Sequence, residues 1–163
     1  VPDVDAEALG TASDFFPGDF QDLAETHVQA DAVLTCFFID TAPSVLDYIQ
    51  TMRSVLRRGG LWINFGPLSY HWASCDADED PDDHRFARAK EFCWEDLRTI
   101  LTGAGFRLLE ERVSNDATYT SNRKSLERTQ FSCIFFAAVF EPEEGDHGDG
   151  VAPQASSSSS SSR

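Results

Sequence analysis

The segment from Asp31 to His71 constrains the fold of this chain more than any other. Residues 32–39 are apolar with no polar face, which suits a parallel strand covered by helices on both sides. From Ser44 onward Val45, Ile49, Met52, Val55 and Leu56 recur at helical spacing, and Leu46 and Tyr48 widen the stripe. Pro43 supplies a first-turn signal with a preset φ. Gly59-Gly60, directly after two arginines, reads as the helix stop. Leu61 to Phe65 then begins a second buried strand. The reading is a strand–helix–strand crossover. Asp40 and the stretch from Gly66 to His71 follow the carboxyl ends of its two strands, the edge at which open α/β sheets bind ligands. Asp40 and His71 are therefore the first functional candidates.

Composition narrows the function classes. A chain of 163 residues is one domain at most, large enough to bury a substantial core. A net charge of −15 argues against a nucleic-acid or anionic-membrane surface, where Lys and Arg must dominate. Much of the acidity is local, in residues 76–83 and 141–149, which read as solvated loop and tail. No apolar run approaches a membrane span and no signal peptide opens the chain. Cys36, Cys75, Cys93 and Cys133 form no CxxC pair and no zinc spacing, so no metal is expected. Cys36 and Cys133 lie inside apolar strands and are expected to be reduced core thiols of an intracellular protein.

The remaining chain alternates in the same style. A short polar helix is expected at residues 21–25, and helix signals return at residues 85–88 and 92–104. In the second of these Trp94, Leu97, Ile100 and Leu101 share a face and Gly103 and Gly105 close it. Residues 106–113 and 131–140 read as strands, and no helix long enough for a parallel crossover separates them, so they should pair antiparallel. An α/β chain whose parallel strands end in an antiparallel hairpin has the topology of the C-terminal part of a Rossmann-like class I methyltransferase fold. The absence of an initiator Met and of further parallel-type strands leads us to expect a C-terminal piece of a longer protein. Residues 1–140 would form that part-domain, and residues 141–163 an acidic, Ser-rich tail too polar to order itself.

Several blocks carry a more specific resemblance. Phe16-Pro17-Gly18-Asp19-Phe20, Thr35-Cys36-Phe37-Phe38-Ile39-Asp40-Thr41-Ala42 and Trp62-Ile63-Asn64-Phe65-Gly66-Pro67-Leu68-Ser69-Tyr70-His71 resemble carnosine N-methyltransferase. So do Trp94-Glu95-Asp96-Leu97, Gly105-Phe106 and Thr118-Tyr119-Thr120. The resemblance covers residues 1–140. It implies transfer of a methyl group from S-adenosylmethionine to an imidazole nitrogen of carnosine, giving anserine. It implies that Asp19 and Phe20 meet the adenine of the cofactor, that Cys36 lines the cofactor pocket, and that Asp40 and His71 contact substrate. From the residues alone, Asp19 and Asp40 equally suit helix N-caps, Cys36 suits core filler, and a lone histidine beside Tyr70 and Trp72 suits a packed loop.

The resemblance also has gaps. The family places a substrate-contacting tyrosine at the start of its last strand, where this chain has Phe131; a ring there still packs against substrate but donates no hydrogen bond. The acidic residues 76–83 have no counterpart in the family pattern. No glycine-rich cofactor turn is present, since Gly59-Gly60 and Gly103 read as helix stops. Two further readings therefore stay open: a non-catalytic binding module, and a methyltransferase for another histidine-containing peptide. The partner expected is a small dipeptide or such a peptide, with no nucleic acid and no membrane. A homodimer and a cytoplasmic, or also nuclear, location complete the expectations.

Overall fold

The computed structural model describes residues 10, 15–73, 84–120, 122 and 124–143. Residues 76–83, Cys75 and the Ser-rich tail from residue 144 lie outside the described residues, as do most of residues 1–14. Among the described residues, strands β1 (Ala30–Cys36), β2 (Leu56–Gly66), β3 (Phe106–Thr118) and β4 (Gln130–Phe140) form one sheet in the order β1-β2-β4-β3. Helices α1 (Val45–Val55), α2 (His84–Arg88) and α3 (Trp94–Gly103) connect them, and two 3-10 turns, Phe20–Glu25 and Ile39–Thr41, precede β1 and α1. No described helix is long and apolar enough to cross a membrane.

β1 and β2 pair in parallel, as the crossover requires. The last strand, β4, is antiparallel to β3, as its apolar run and the missing crossover helix foretold. It does more than close a hairpin: it inserts between β2 and β3 and runs antiparallel to both. The three other strands therefore share one direction, and their carboxyl ends meet the amino end of β4 along one edge. Central placement explains why β4 has no polar face.

Helix α1 buries Val45, Tyr48, Ile49, Met52 and Val55 against the sheet, matching the helical stripe, whereas Leu46 points to solvent. At the other end of the sheet α3 buries Leu97 and Leu101. Between them Trp62 is packed edge-on by Phe106 at 5.3 Å and Phe136 at 5.2 Å, and Trp94 stacks on Phe136 at 5.6 Å. A buried polar network crosses this core. Trp62 Nε1 donates to Thr35 Oγ1 at 2.9 Å, Thr35 Oγ1 to Asn64 Oδ1 at 2.8 Å, and Asn64 Nδ2 to the Ile134 carbonyl at 3.3 Å. Every member has a partner, so the network fixes the register of β1, β2 and β4 without leaving a buried group unpaired.

Three expectations need correction. Gly59-Gly60 does not stop α1, which ends at Val55 because Leu56 enters the core and pairs with Ala30. The register then jumps to Ala32 opposite Leu61, and residues 57–60 bulge out, with Gly59 at φ +82°. The polar segment after residue 113 extends the strand to Thr118, since pairing with Gln130 outweighs its composition. Lastly, β1 is an edge strand: Thr35 is buried, but Leu34 is 73% exposed and Cys36 is exposed. Cys36 is therefore no core thiol. Cys133, on the central strand, is.

Candidate functional site

The candidate site grows from a backbone turn at the end of β1. Phe37 adopts φ +50°, a left-handed conformation uncommon for a residue with a side chain. Its amide donates to the Phe65 carbonyl at 2.8 Å, continuing the parallel pairing one step beyond the strand. Gly66 makes the approach possible. A Cβ added there would lie 3.0 Å from both Cα and N of Phe37, tighter than nine in ten real Cβ contacts. Strain held by surrounding structure at a strand end is a pointer to function. Its local effect is to turn the chain sharply into the Ile39–Thr41 turn, which Thr41 closes by donating Oγ1 to the Phe38 carbonyl at 2.7 Å.

That turn places Asp40 where its carboxylate is 2% exposed. Asp40 is not the N-cap of α1, a position that Ser44 occupies. Instead Oδ2 accepts the Ser69 amide at 3.0 Å, from the loop that follows β2. The Asp40 carbonyl accepts the His71 amide at 3.0 Å, and the Thr41 carbonyl accepts Trp72 Nε1 at 3.0 Å. The two segments that follow the parallel strands are thus laced together residue by residue. The His71 side chain lies at the surface of this lacing, exposed. A buried carboxylate and an accessible imidazole therefore meet at the carboxyl edge.

Beside them is a cavity of about 430 Å³. Pro67, Leu68 and Ser69 from the loop, Trp94 from α3, Val113 from β3 and residues 130–134 of β4 line it. Ser69 belongs both to this wall and to the Asp40 hydrogen bond, whereas Asp40 and His71 are not among the described residues that line the cavity. Cys133 lines it too. Burial pushes the Cys133 thiol up, and the negative charges of Asp40 and Cys36 push it further. Among the described residues that line it, none carries a cationic side chain.

Phe131, at the start of β4, is half-buried and joins this wall. It packs edge-on with Phe37 at 5.9 Å and with Tyr119 at 5.5 Å, while Phe37 and Tyr119 are 5.2 Å apart. Phe37 and Tyr119 were not singled out as site residues from the sequence. The unusual φ of Phe37 has no signature in an apolar run, and Tyr119 was visible only within the Thr118-Tyr119-Thr120 block.

Asp19 and Phe20 lie on the first 3-10 turn. Asp19 caps it, accepting the Gln21 amide at 2.9 Å, so the modest structural role holds. Its carboxylate is nevertheless exposed and reachable. Phe20 packs edge-on against Phe38, which lies two residues before Asp40, at 5.3 Å and against Tyr48 at 5.1 Å. Cys36, exposed at the end of β1, immediately precedes Phe37. A surface carboxylate that accepts hydrogen bonds, a half-buried ring and an exposed thiol fit the adenine end of a nucleoside cofactor. Among the described residues no group of three His, Cys, Asp or Glu side chains is arranged to hold a metal ion.

The profile of the carnosine N-methyltransferase family matches residues 1–142. The chain is 39% identical over 137 residues to the carnosine N-methyltransferase of Rattus norvegicus, covering 83% of this chain and 32% of that protein. It is 38% identical over 122 residues to the carnosine N-methyltransferase of Dictyostelium discoideum, covering 75% and 24%. The chain therefore spans about a third or less of the length of these relatives. Among solved structures, TehB from Haemophilus influenzae aligns with a TM-score of 0.54 at 15% identity, over 83% of this chain and 43% of that one. A structure from work on the conversion of a disulfide bond into a thioacetal group during echinomycin biosynthesis aligns with the same TM-score at 14% identity, over 83% and 59%. These similarities show a Rossmann-like class I methyltransferase fold.

Proposed function

Since the chain belongs to the carnosine N-methyltransferase family, we propose that the protein it forms part of methylates an imidazole nitrogen, converting carnosine to anserine. The observation that carries this reading is the buried Asp40 carboxylate, held by the amide of Ser69, a residue that lines a cavity at the carboxyl edge of the sheet. S-adenosylmethionine, when bound, supplies an electrophilic methyl group; Asp19, Phe20 and Cys36 are the residues here that would hold it. Asp40 accepts the N–H of one imidazole nitrogen, which leaves the lone pair of the other free to attack. That nitrogen would take up the methyl group, and Asp40 would steady the imidazolium that results. The Ser69 amide keeps the carboxylate aimed, so little reorganisation accompanies the charge change. His71 contacts the dipeptide from the loop, and Phe131 packs against it. Such a displacement relies on positioning and exclusion of water more than on acid–base chemistry.

The test is methyl transfer to carnosine by the full-length protein, comparing wild type with Asp40→Asn. The amide matches the carboxylate in shape but presents no negative charge to the imidazolium. A fall in kcat of about 10²- to 10³-fold, with cofactor Kd unchanged, is expected. A wild-type rate would remove Asp40 from the mechanism. A second substrate reading rests on the cavity lining, whose described residues offer no cation to a free carboxylate. A histidine inside a longer peptide has no carboxylate beside its imidazole, and faster methylation of such a peptide than of carnosine would favour that substrate.

A further inference from the structure

Two separate walls flank the cavity beside Asp40, and a hydrogen bond runs from one to the other. Pro67, Leu68 and Ser69 belong to the loop after β2, whereas Trp94 opens α3 and is stacked on Phe136 of the sheet. Between these walls Tyr70 Oη donates to the Phe92 carbonyl at 3.0 Å. Tyr70 is buried within the core cluster and Phe92 packs against that cluster, so water competes poorly for the bond. Burial pushes the phenol up to about 12, against the opposing effect of the Phe92 bond and with help from the charges of Asp40, Cys93 and Glu91. It stays a donor throughout the physiological range.

The neighbours of Tyr70 face the other way. The amides of Ser69 and His71 go to Asp40, and the Trp72 indole goes to Thr41. Trp72 also packs its ring on Phe86 and under Arg85 of α2. Among the described residues 69–72, the side-chain hydrogen bond toward α3 is that of Tyr70. Without its hydroxyl the loop would keep its bonds to Asp40 and Thr41 and its core packing, and would lose the polar bond that sets its spacing from the start of α3.

We propose that Tyr70 is a positioning residue that sets the width of this cavity and the placement of His71, and so selects the length of the chain that carries the imidazole. The inference rests on the methyltransferase reading of the site. It goes beyond that reading in giving substrate selection to a side chain inside the core.

Tyr70→Phe in the full-length protein removes one oxygen. For carnosine, KM should rise about tenfold with kcat within about threefold, because Asp40 keeps its own contacts. The preference for carnosine over γ-aminobutyryl-histidine, one methylene longer, should fall at least about threefold as the cavity loosens. Amide exchange at Ser69 and His71 should quicken at least about tenfold while β4 stays protected. Tyr70→4-aminophenylalanine keeps an N–H donor on the same ring and should restore all three readouts, whereas Tyr70→4-methylphenylalanine, of equal bulk, should not. That pair also decides the matter should Tyr70→Phe fold poorly. A variant with a lowered Tm but unchanged KM and preference would reduce Tyr70 to a structural role and overturn the proposal. Should wild type leave carnosine unmethylated, the proposed function fails, and unchanged exchange in Tyr70→Phe would separately overturn the tether.

Discussion

Gly66→Ala tests the geometric origin of the site. The added methyl would meet Cα and N of Phe37 at 3.0 Å, and both are backbone atoms that cannot swing aside. Phe37 already sits at φ +50° and has little room to relax. The Phe37–Phe65 bond of 2.8 Å is the contact that must give. Overpacking of this kind costs about 1–3 kcal/mol, and the hydrogen bond about 1 kcal/mol more, so a loss of about 2–4 kcal/mol is expected. The displacement passes directly into the Ile39–Thr41 turn. A shift of about 1 Å at Asp40 should lower kcat/KM by about 10²-fold. Gly59→Ala is the control: nothing lies within 4 Å of its Cβ, and the left-handed φ of +82° alone should cost about 1 kcal/mol without touching the rate. Urea denaturation followed by tryptophan fluorescence, together with methyl transfer to carnosine by the full-length protein, measures both effects. Equal stability and rate in Gly66→Ala would refute the argument that this close approach builds the turn.

Two further outcomes follow from burial. In His71→Ala, loss of the exposed imidazole that we propose contacts the dipeptide should raise KM about tenfold while leaving kcat within a few-fold; a defect confined to cofactor Kd would contradict the assignment. Cys133 is buried with its thiol pushed up, so less thiolate is present at any given pH and reactivity should rise only as pH approaches the raised value. Native alkylation with iodoacetamide at pH 8, read by mass spectrometry, should label exposed Cys36 while sparing Cys133 until the chain is denatured; equal labelling would mean that β4 is not the central strand.

What could be read from the sequence follows the range of the forces involved. The crossover was legible because the spacing of Val45, Ile49, Met52 and Val55 is a local signal, and those residues are the buried face of α1. Antiparallel pairing of β3 with β4 was legible because a missing crossover helix excludes the alternative. The insertion of β4 between β2 and β3 was not, since an apolar run tells that a strand is central but not which neighbours it takes. The end of α1 was misjudged because pairing of Leu56 with Ala30 outweighed the glycine signal. Cys36 was misplaced for a related reason: with one neighbour only, an edge strand exposes apolar side chains that would be covered in a wider sheet.

The site shows the same division. Asp40 was as good an N-cap as a substrate ligand until its path was known, because both roles ask for a short acidic side chain after a strand. The left-handed turn at Phe37 decides between them. It carries the carboxylate away from α1 and toward the Ser69 amide, so a function for Asp40 depends on a conformation that Phe37 does not advertise and that Gly66, twenty-nine residues later, permits. Local pattern finds the residues with suitable chemistry. Long-range contact selects which of them is aimed, and here the selecting contact is the bare Cα of a glycine.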